Sequence, residues 1–342
     1  MKNHEYFINK CIELAKMGNS DVSPNPMVGS IIVSDNKIIG SGYHKSYGHD
    51  HAEVNAINNV KDKSLLNKSI LYVNLEPCCH FGKTPPCADL IIKNKIAKVV
   101  IGCVDPNSKV SGKGIKKLKD NSVDVIYGIL NKECKELNKR FFTFNKLKRP
   151  YIILKWAKSS DNFISPHNQI EPFWMTSEKS KKTVHKWRSQ EDSILVGTNT
   201  AIIDNPRLNV RLVKGKNPIR IVIDKKLNLS KDLEVFNTDV KTIILNEVKS
   251  FSSATNDYLK VDFSDLINQL LDKLYELNIM SMIVEGGAFT INKFINENAY
   301  DEIRIFTTPE KLKKGVKSPI IPIIKKIYSN DYDGDLLEIY RK

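Results

Sequence analysis

The chain has 342 residues, 41% hydrophobic and 27% charged, with six cysteines and a formal net charge of +14. That length suits two domains, each able to bury its own core, and no apolar run is long enough for a membrane helix. The positive excess is scattered lysine, without an arginine-rich run or an aromatic-interleaved basic stripe, so neither nucleic acid nor membrane is expected as a partner.

The N-terminus, Met1 to Lys10, lacks the apolar stretch of a secretory signal, which predicts a cytoplasmic protein. In a reducing compartment the cysteines read as metal ligands or buried thiols. A leading helix is expected near Tyr6–Lys16, then strands at Gly29–Val33, Ile38–Gly42, Ile70–Leu75, Val99–Cys103 and Val123–Tyr127. Between them fall helices starting near His51, at Pro86–Lys95 and near Gly112–Asp120, and a closing helix near Lys132–Asn145. Cys11, Cys103 and Cys134 sit in apolar-periodic stretches and read as core. The charge run and proline at Lys146 to Pro150 mark a boundary, giving domains 1–147 and 148–342.

The second half predicts strands at Ile152–Trp156, Asp192–Gly197, Ile219–Ile223, Thr242–Leu245, Ser281–Glu285 and Glu302–Thr307, with helices between several of them. It has no G-x-G-x-x-G, so it announces no Rossmann phosphate loop. Gly286 and Gly287, between a strand and a helical run, serve equally as a backbone phosphate cradle or a tight turn.

Chemistry concentrates in the first half. His51, Cys78 and Cys87 can give three zinc ligands, leaving a fourth position for water, whose pKa zinc lowers to about 7. Glu53, two residues after the histidine, can carry that water's proton to a leaving amine, as the H-x-E then P-C pattern of nucleobase deaminases requires. The competing reading is a closed structural site completed by Cys79 or His80. Structural sites draw tight C-x2-4-C pairs, however, and here eight residues, two of them Pro85 and Pro86, separate Cys78 from Cys87. The prolines before each cysteine fit thiolates presented at helix N-termini.

Together with P-N-P-M-V-G from Pro24, G-Y-H at Gly42 to His44, H-A-E-V from His51 and D-P-N at Asp105 to Asn107, this stretch resembles the riboflavin-pathway bifunctional deaminase/reductase family. The resemblance implies a three-layer α-β-α cytidine-deaminase-like domain followed by a dihydrofolate-reductase-like α/β domain. It implies removal of the ring amino group from 2,5-diamino-6-(5-phosphoribosylamino)pyrimidin-4(3H)-one, then NADPH-dependent reduction of the ribosyl group to the ribityl form. Asn25, His44, His80, Lys83, Asp105 and Asn107 would meet the first substrate, His80 and Lys83 suiting its phosphate.

Matches in the second half include Lys155, W-M-T at Trp174 to Thr176, His185, Gly197, Pro206, Arg220 and Asp224. By position, Lys158, Trp174, Thr200, Asp204, Gly286 and Gly287 would meet the cofactor, and Arg188, Leu208, Arg211 and Glu285 the substrate. The expected cofactors are Zn2+ and NADPH, and the expected assembly is a homo-oligomer. Several positions depart from the family pattern. Asn162 replaces a glycine suited to positive φ, Pro172 replaces a small hydroxyl residue, Lys225 replaces a small polar one, and Pro309 to Gly315 are rewritten. A second reading stays open, a zinc deaminase of another nucleobase with an inactive second domain.

Overall fold

The apolar runs of the first half pair into a five-stranded sheet in a computed structural model that describes residues 2–81 and 85–342. The chain divides after Lys148 into two units. The first contains α1 (Lys2–Ala15), β1 (Gly29–Ser34), β2 (Lys37–Tyr43), α2 (Ala52–Asn58), β3 (Ile70–Leu75), α3 (Cys87–Lys93), β4 (Lys98–Cys103), α4 (Lys113–Asp120), β5 (Asp124–Tyr127), α5 (Asn131–Leu137) and α6 (Lys139–Leu147). The sheet order is β2-β1-β3-β4-β5, antiparallel around β1 and parallel from β3 to β5.

Ile32, Val73, Val99 and Ile101 on the strands share one buried cluster with Ala56, Ile57, Ile91 and Leu118 from α2, α3 and α4. Helix α1 packs on β1 and β3, so closely that a Cβ at Gly29 would lie 2.1 Å from the Cys11 carbonyl oxygen. Cys11, Cys103 and Cys134 are fully buried, as their apolar surroundings predicted.

The closing helix is two helices, broken at Asn138 (φ −105, ψ 25). Its amide side chain accepts from the Met27 N–H at 2.8 Å and donates to the Met27 carbonyl at 2.9 Å. Asn74, fully buried, donates to the same carbonyl and accepts from Gly29 N–H. Two amides thus clamp the loop before β1 that carries Asn25.

The second unit contains β6 (Tyr151–Ser159), β7 (Phe163–Ser165), α7 (Glu178–Arg188), β8 (Ser193–Val196), α8 (Thr198–Asp204), β9 (Ile219–Ile223), β10 (Thr242–Asn246), β11 (Phe251–Ser252), β12 (Asn256–Lys260), α9 (Leu266–Glu276), β13 (Ser281–Val284), α10 (Ala288–Asn296), β14 (Glu302–Thr308), β15 (Val316–Lys317), β16 (Lys325–Tyr332) and β17 (Asp335–Arg341). Ten of these strands form one sheet, ordered β11-β12-β10-β9-β8-β13-β6-β14-β17-β16. From β12 to β14 it is parallel, and at both edges it turns antiparallel. Each of the six strands expected from sequence is present; β11 and β12 at one edge and the C-terminal hairpin of β16 and β17 at the other are additions. Its turn at Asp333 and Gly334 has positive φ at both residues (62 and 86), which matches the twist of a tight hairpin. Asn162 takes φ 66, the left-handed geometry for which asparagine substitutes glycine.

Candidate active sites

His51 caps α2 in an extended conformation and Glu53 follows in the first turn, while Cys87 is the first residue of α3 behind Pro86. Cys78 departs from expectation: it lies in the segment after β3 rather than at a helix start. Its sulfur reaches a helix start all the same, accepting the Cys87 N–H at 3.3 Å. His51 Nδ1 stands 3.2 Å from Cys87 Sγ and 3.6 Å from Cys78 Sγ, and the three atoms lie within 4.8 Å of one another.

A tetrahedral zinc, with sulfur at about 2.3 Å and nitrogen at about 2.0–2.1 Å, sets its ligands roughly 3.5–3.8 Å apart. The residues present therefore fit the metal. The Cys79 sulfur instead faces the Lys109 carbonyl at 3.8 Å. Among the described residues no other His, Cys, Asp or Glu joins the group.

The two sulfurs act on each other's protonation in opposite senses. A hydrogen bond from Cys87 draws the Cys78 thiol down to about 4 against the effect of burial, and the same bond and burial push Cys87 up. Such a pair suits a cation that replaces the proton. Glu53 is 3% exposed; burial raises its carboxyl and the nearby His51 opposes this. A carboxyl held high is suited to carrying a proton near neutrality.

His44 Nδ1 must donate to the Asp50 carbonyl at 3.0 Å, so its Nε2 accepts from the Asn25 amide at 3.0 Å. Its ring stands edge-on to His51, 5.4 Å between centroids, and burial lowers its pKa against the Asp50 carbonyl hydrogen bond, in keeping with an Nε2 that accepts. Asn25 and His44 are thereby joined to the metal-ligand group. His80 Nδ1 is buried and has no partner among the described residues. Burial raises Asp105 to about 7 while the Asn107 N–H opposes it; that N–H donates to Asp105 Oδ1 at 2.7 Å. Lys83 lies outside the described residues.

Sequence reasoning passed over Glu76. It is 3% exposed and its carboxylate accepts three backbone N–H groups, from Asp105, Gly112 and Ile115. Its only sequence signal is an acidic residue closing an apolar strand just before Pro77 and Cys78.

The second unit holds a cleft of about 1390 Å³ lined by Trp174, Arg188, Thr200, Asp204, Leu208, Arg211, Glu285, Gly286 and Gly287, with Pro172 and Lys225. It opens at the carboxyl ends of β8 and β13, where parallel sheets place their ligands. Gly287 N–H donates to Thr200 Oγ1 at 3.1 Å, tying the turns after these strands together. Asp204 accepts from Gln169 at 3.0 Å.

Deeper in, the Arg188 guanidinium makes a two-bond pair with Glu285, 3.2 and 2.7 Å, and Lys155 Nζ stands 3.9 Å from the same carboxylate. Burial pushes Glu285 up, but Arg188 and Lys155 outweigh it and leave the carboxyl at about 2. Burial, with the cations of Arg188 and Arg211, lowers His185 to about 4; the neutral ring accepts the Arg211 N–H at Nδ1. Lys158 is the exception among the expected cofactor residues. Its ammonium donates to Asn162 at 2.8 Å and it does not line the cleft.

The two halves match separate family models, residues 1–103 the cytidine and deoxycytidylate deaminase zinc-binding region and residues 150–312 the RibD C-terminal domain. A riboflavin biosynthesis protein RibD from Aquifex aeolicus is 38% identical over 316 residues, covering 91% of this chain and 88% of the relative. One from Bacillus amyloliquefaciens is 38% identical over 315 residues, covering 89% and 84%. A diaminohydroxyphosphoribosylaminopyrimidine deaminase/5-amino-6-(5-phosphoribosylamino)uracil reductase from Thermotoga maritima superposes with a TM-score of 0.91 at 35% identity over 99% of both chains. A RibD from Acinetobacter baumannii superposes at 0.90 and 28% identity over 99% of both.

Proposed function

The chain belongs to the RibD family of riboflavin-biosynthesis proteins, and from that premise we propose which residues carry each of its two reactions. It is a bifunctional enzyme, a zinc-dependent deaminase of a phosphorylated pyrimidine joined to an NADPH-dependent reductase. His51, Cys78 and Cys87 would hold the zinc, which when bound would supply a Lewis acid that lowers the pKa of water. Glu53 accepts the water's proton and delivers it to the departing ring amine. Neutral His44 and Asn25 bind the ring edge on one side, Asp105 and Asn107 on the other, and His80 with Lys83 takes the phosphate.

The substrate is 2,5-diamino-6-(5-phosphoribosylamino)pyrimidin-4(3H)-one, and deamination precedes reduction. In the second cleft NADPH, when bound, would supply the hydride. Trp174, Thr200, Asp204 and the Gly286–Gly287 turn hold that cofactor, while Arg188, Leu208, Arg211 and Glu285 orient the ribosyl phosphate. Arg211 meets the phosphate as a charged fork. The observation that most supports this reading is the grouping of His51, Cys78 and Cys87 beside a buried Glu53.

A coupled assay with the diaminopyrimidine substrate and NADPH tests it, following ammonia release and cofactor oxidation together. Both signals are expected, in that order. Ammonia from cytidine or tRNA, but not from the phosphoribosylaminopyrimidine, would overturn the substrate assignment. We also propose a cytoplasmic homo-oligomer, which light scattering checks for assembly. Among the described residues no helix is long and apolar enough to cross a membrane.

A further inference from the structure

We propose that Glu76 is a positioning residue for deamination, a buried carboxylate that fixes the loop carrying Asp105 and Asn107 against the segment carrying Cys78. This rests on the reading above that Asp105 and Asn107 meet the substrate.

Glu76 directly follows β3 and precedes Pro77 and Cys78, so its backbone moves with the metal-ligand segment. Its own N–H donates to the Cys103 carbonyl at 2.9 Å, extending the β3–β4 pairing by one step. The side chain then crosses to the segment after β4. Oε2 accepts from Asp105 N–H at 3.2 Å and Gly112 N–H at 3.0 Å, and Oε1 from Ile115 N–H at 3.1 Å. One carboxylate therefore holds both ends of the 105–112 loop and the first turn of α4.

Between those anchors the loop is self-supporting. Asp105 Oδ1 accepts the Asn107 N–H, Asn107 Oδ1 accepts the Lys109 N–H at 3.0 Å, and the Asn107 carbonyl accepts from Val110 and Ser111. The loop meets the Cys78 segment through the Glu76 carboxylate and through one longer contact, Cys79 Sγ to the Lys109 carbonyl at 3.8 Å, so Glu76 supplies the short hydrogen bonds that orient it. Close packing reinforces the anchor, since a Cβ at Gly114 would lie 2.1 Å from the Pro77 carbonyl oxygen and 3.1 Å from Glu76 Oε1. Only a carboxylate suits the position. It is acceptor-only, whereas glutamine would turn an NH2 group toward converging N–H donors and leave at least one of them unpaired.

The test compares Glu76→Gln with Asn107→Ala in the full-length, zinc-loaded enzyme. Glu76→Gln should keep one zinc per chain and raise KM for the diaminopyrimidine roughly ten- to hundredfold, the scale of lost hydrogen bonds to a charged group. Hydrogen exchange should quicken across residues 104–115 only, and NADPH-dependent reduction of the already deaminated intermediate should be unchanged. If Asn107→Ala raises KM but Glu76→Gln does not, the positioning role is overturned and the substrate reading stands. If neither raises KM, the loop does not meet substrate and the reading beneath the proposal fails. Loss of zinc in Glu76→Gln, or exchange accelerated throughout the first unit, would make Glu76 a general stabiliser and overturn the proposal as well. Should Glu76→Gln fail to fold, Glu76→Asp keeps an acceptor-only carboxylate on a shorter stem and should give the same kind of KM rise with zinc retained; an unchanged KM there overturns the proposal.

Discussion

Arg188 and Glu285 meet through two parallel hydrogen bonds although 97 residues separate them, one at the end of α7 and the other just beyond β13. Both side chains are about nine-tenths buried, at 12% and 10% exposure. A pair so sheltered is a fixed feature of the cleft, unlike the exposed ion pairs on the helices, which hold little free energy. With Lys155 Nζ 3.9 Å from Oε2, the oxygen that Arg188 also meets, the cleft floor gathers two cations around one anion, leaving a net positive site for an anionic ligand.

In the first unit, removal of either sulfur ligand should empty the metal site. Cys78→Ser and Cys87→Ser are expected to lose zinc and deamination together, whereas Cys79→Ser keeps both, because its sulfur faces the Lys109 carbonyl. Metal content by atomic absorption decides it. A zinc-free Cys79→Ser protein would show that the ligand set is wrong.

Glu53 should separate metal binding from chemistry. Glu53→Gln preserves size and burial but cannot accept a proton, so zinc stays while kcat for ammonia release falls roughly 10²–10⁴-fold. A variant with near-wild-type turnover would remove Glu53 from the mechanism.

The zinc site was legible because a metal dictates residue types and spacing, so His51, Glu53, Cys78 and Cys87 declare themselves in one dimension. The central strands of both sheets were legible for a related reason: runs such as Val99–Cys103 and Ile219–Ile223 are rich in apolar, β-branched residues, whereas the short or polar edge strands β11 and β12 lack such a run. β16 was not, since its residues, Lys325 to Tyr332, are almost all exposed and show no two-residue alternation; only the Asp333–Gly334 turn signals the hairpin. The break at Asn138 follows from a partner 111 residues away. Glu76 stayed hidden because a buried carboxylate and a solvated one are spelled alike, and only the three converging N–H groups tell them apart.

Asp204 lines the second cleft, where burial raises its carboxyl against a hydrogen bond from Gln169. Asp204→Asn is expected to weaken NADPH binding roughly tenfold or more and to leave ammonia release unchanged. Cofactor fluorescence titration and the deamination assay, run on the same preparation, check both halves. Parallel loss of deamination would show that the two sites are not independent.

The cluster around Arg188 also contributes to how the second unit answers to acid, with the raised carboxyl of Asp204 acting in the opposite sense. His185 titrates at about 4 in the folded chain against an ordinary value of 6.5, because burial and the cations of Arg188 and Arg211 disfavour its charge. The unfolded chain therefore takes up this proton first, so the contribution of His185 to stability is complete above pH 6.5 and is lost as pH falls through about 4. Glu285 acts in the same direction in a lower window, its contribution complete above 4.5 and lost as pH falls through about 2. Burial also lowers Lys155, against the pull of the Glu285 carboxylate. All three tryptophans of the chain, Trp156, Trp174 and Trp187, lie in the second unit, so their fluorescence reports its unfolding alone. Denaturant midpoints of the full chain without ligands should fall steadily from pH 6.5 to pH 4. His185→Gln, which keeps an acceptor for the Arg211 N–H but cannot take a proton, should flatten that fall. An equal slope in the variant would show that the acid response arises elsewhere.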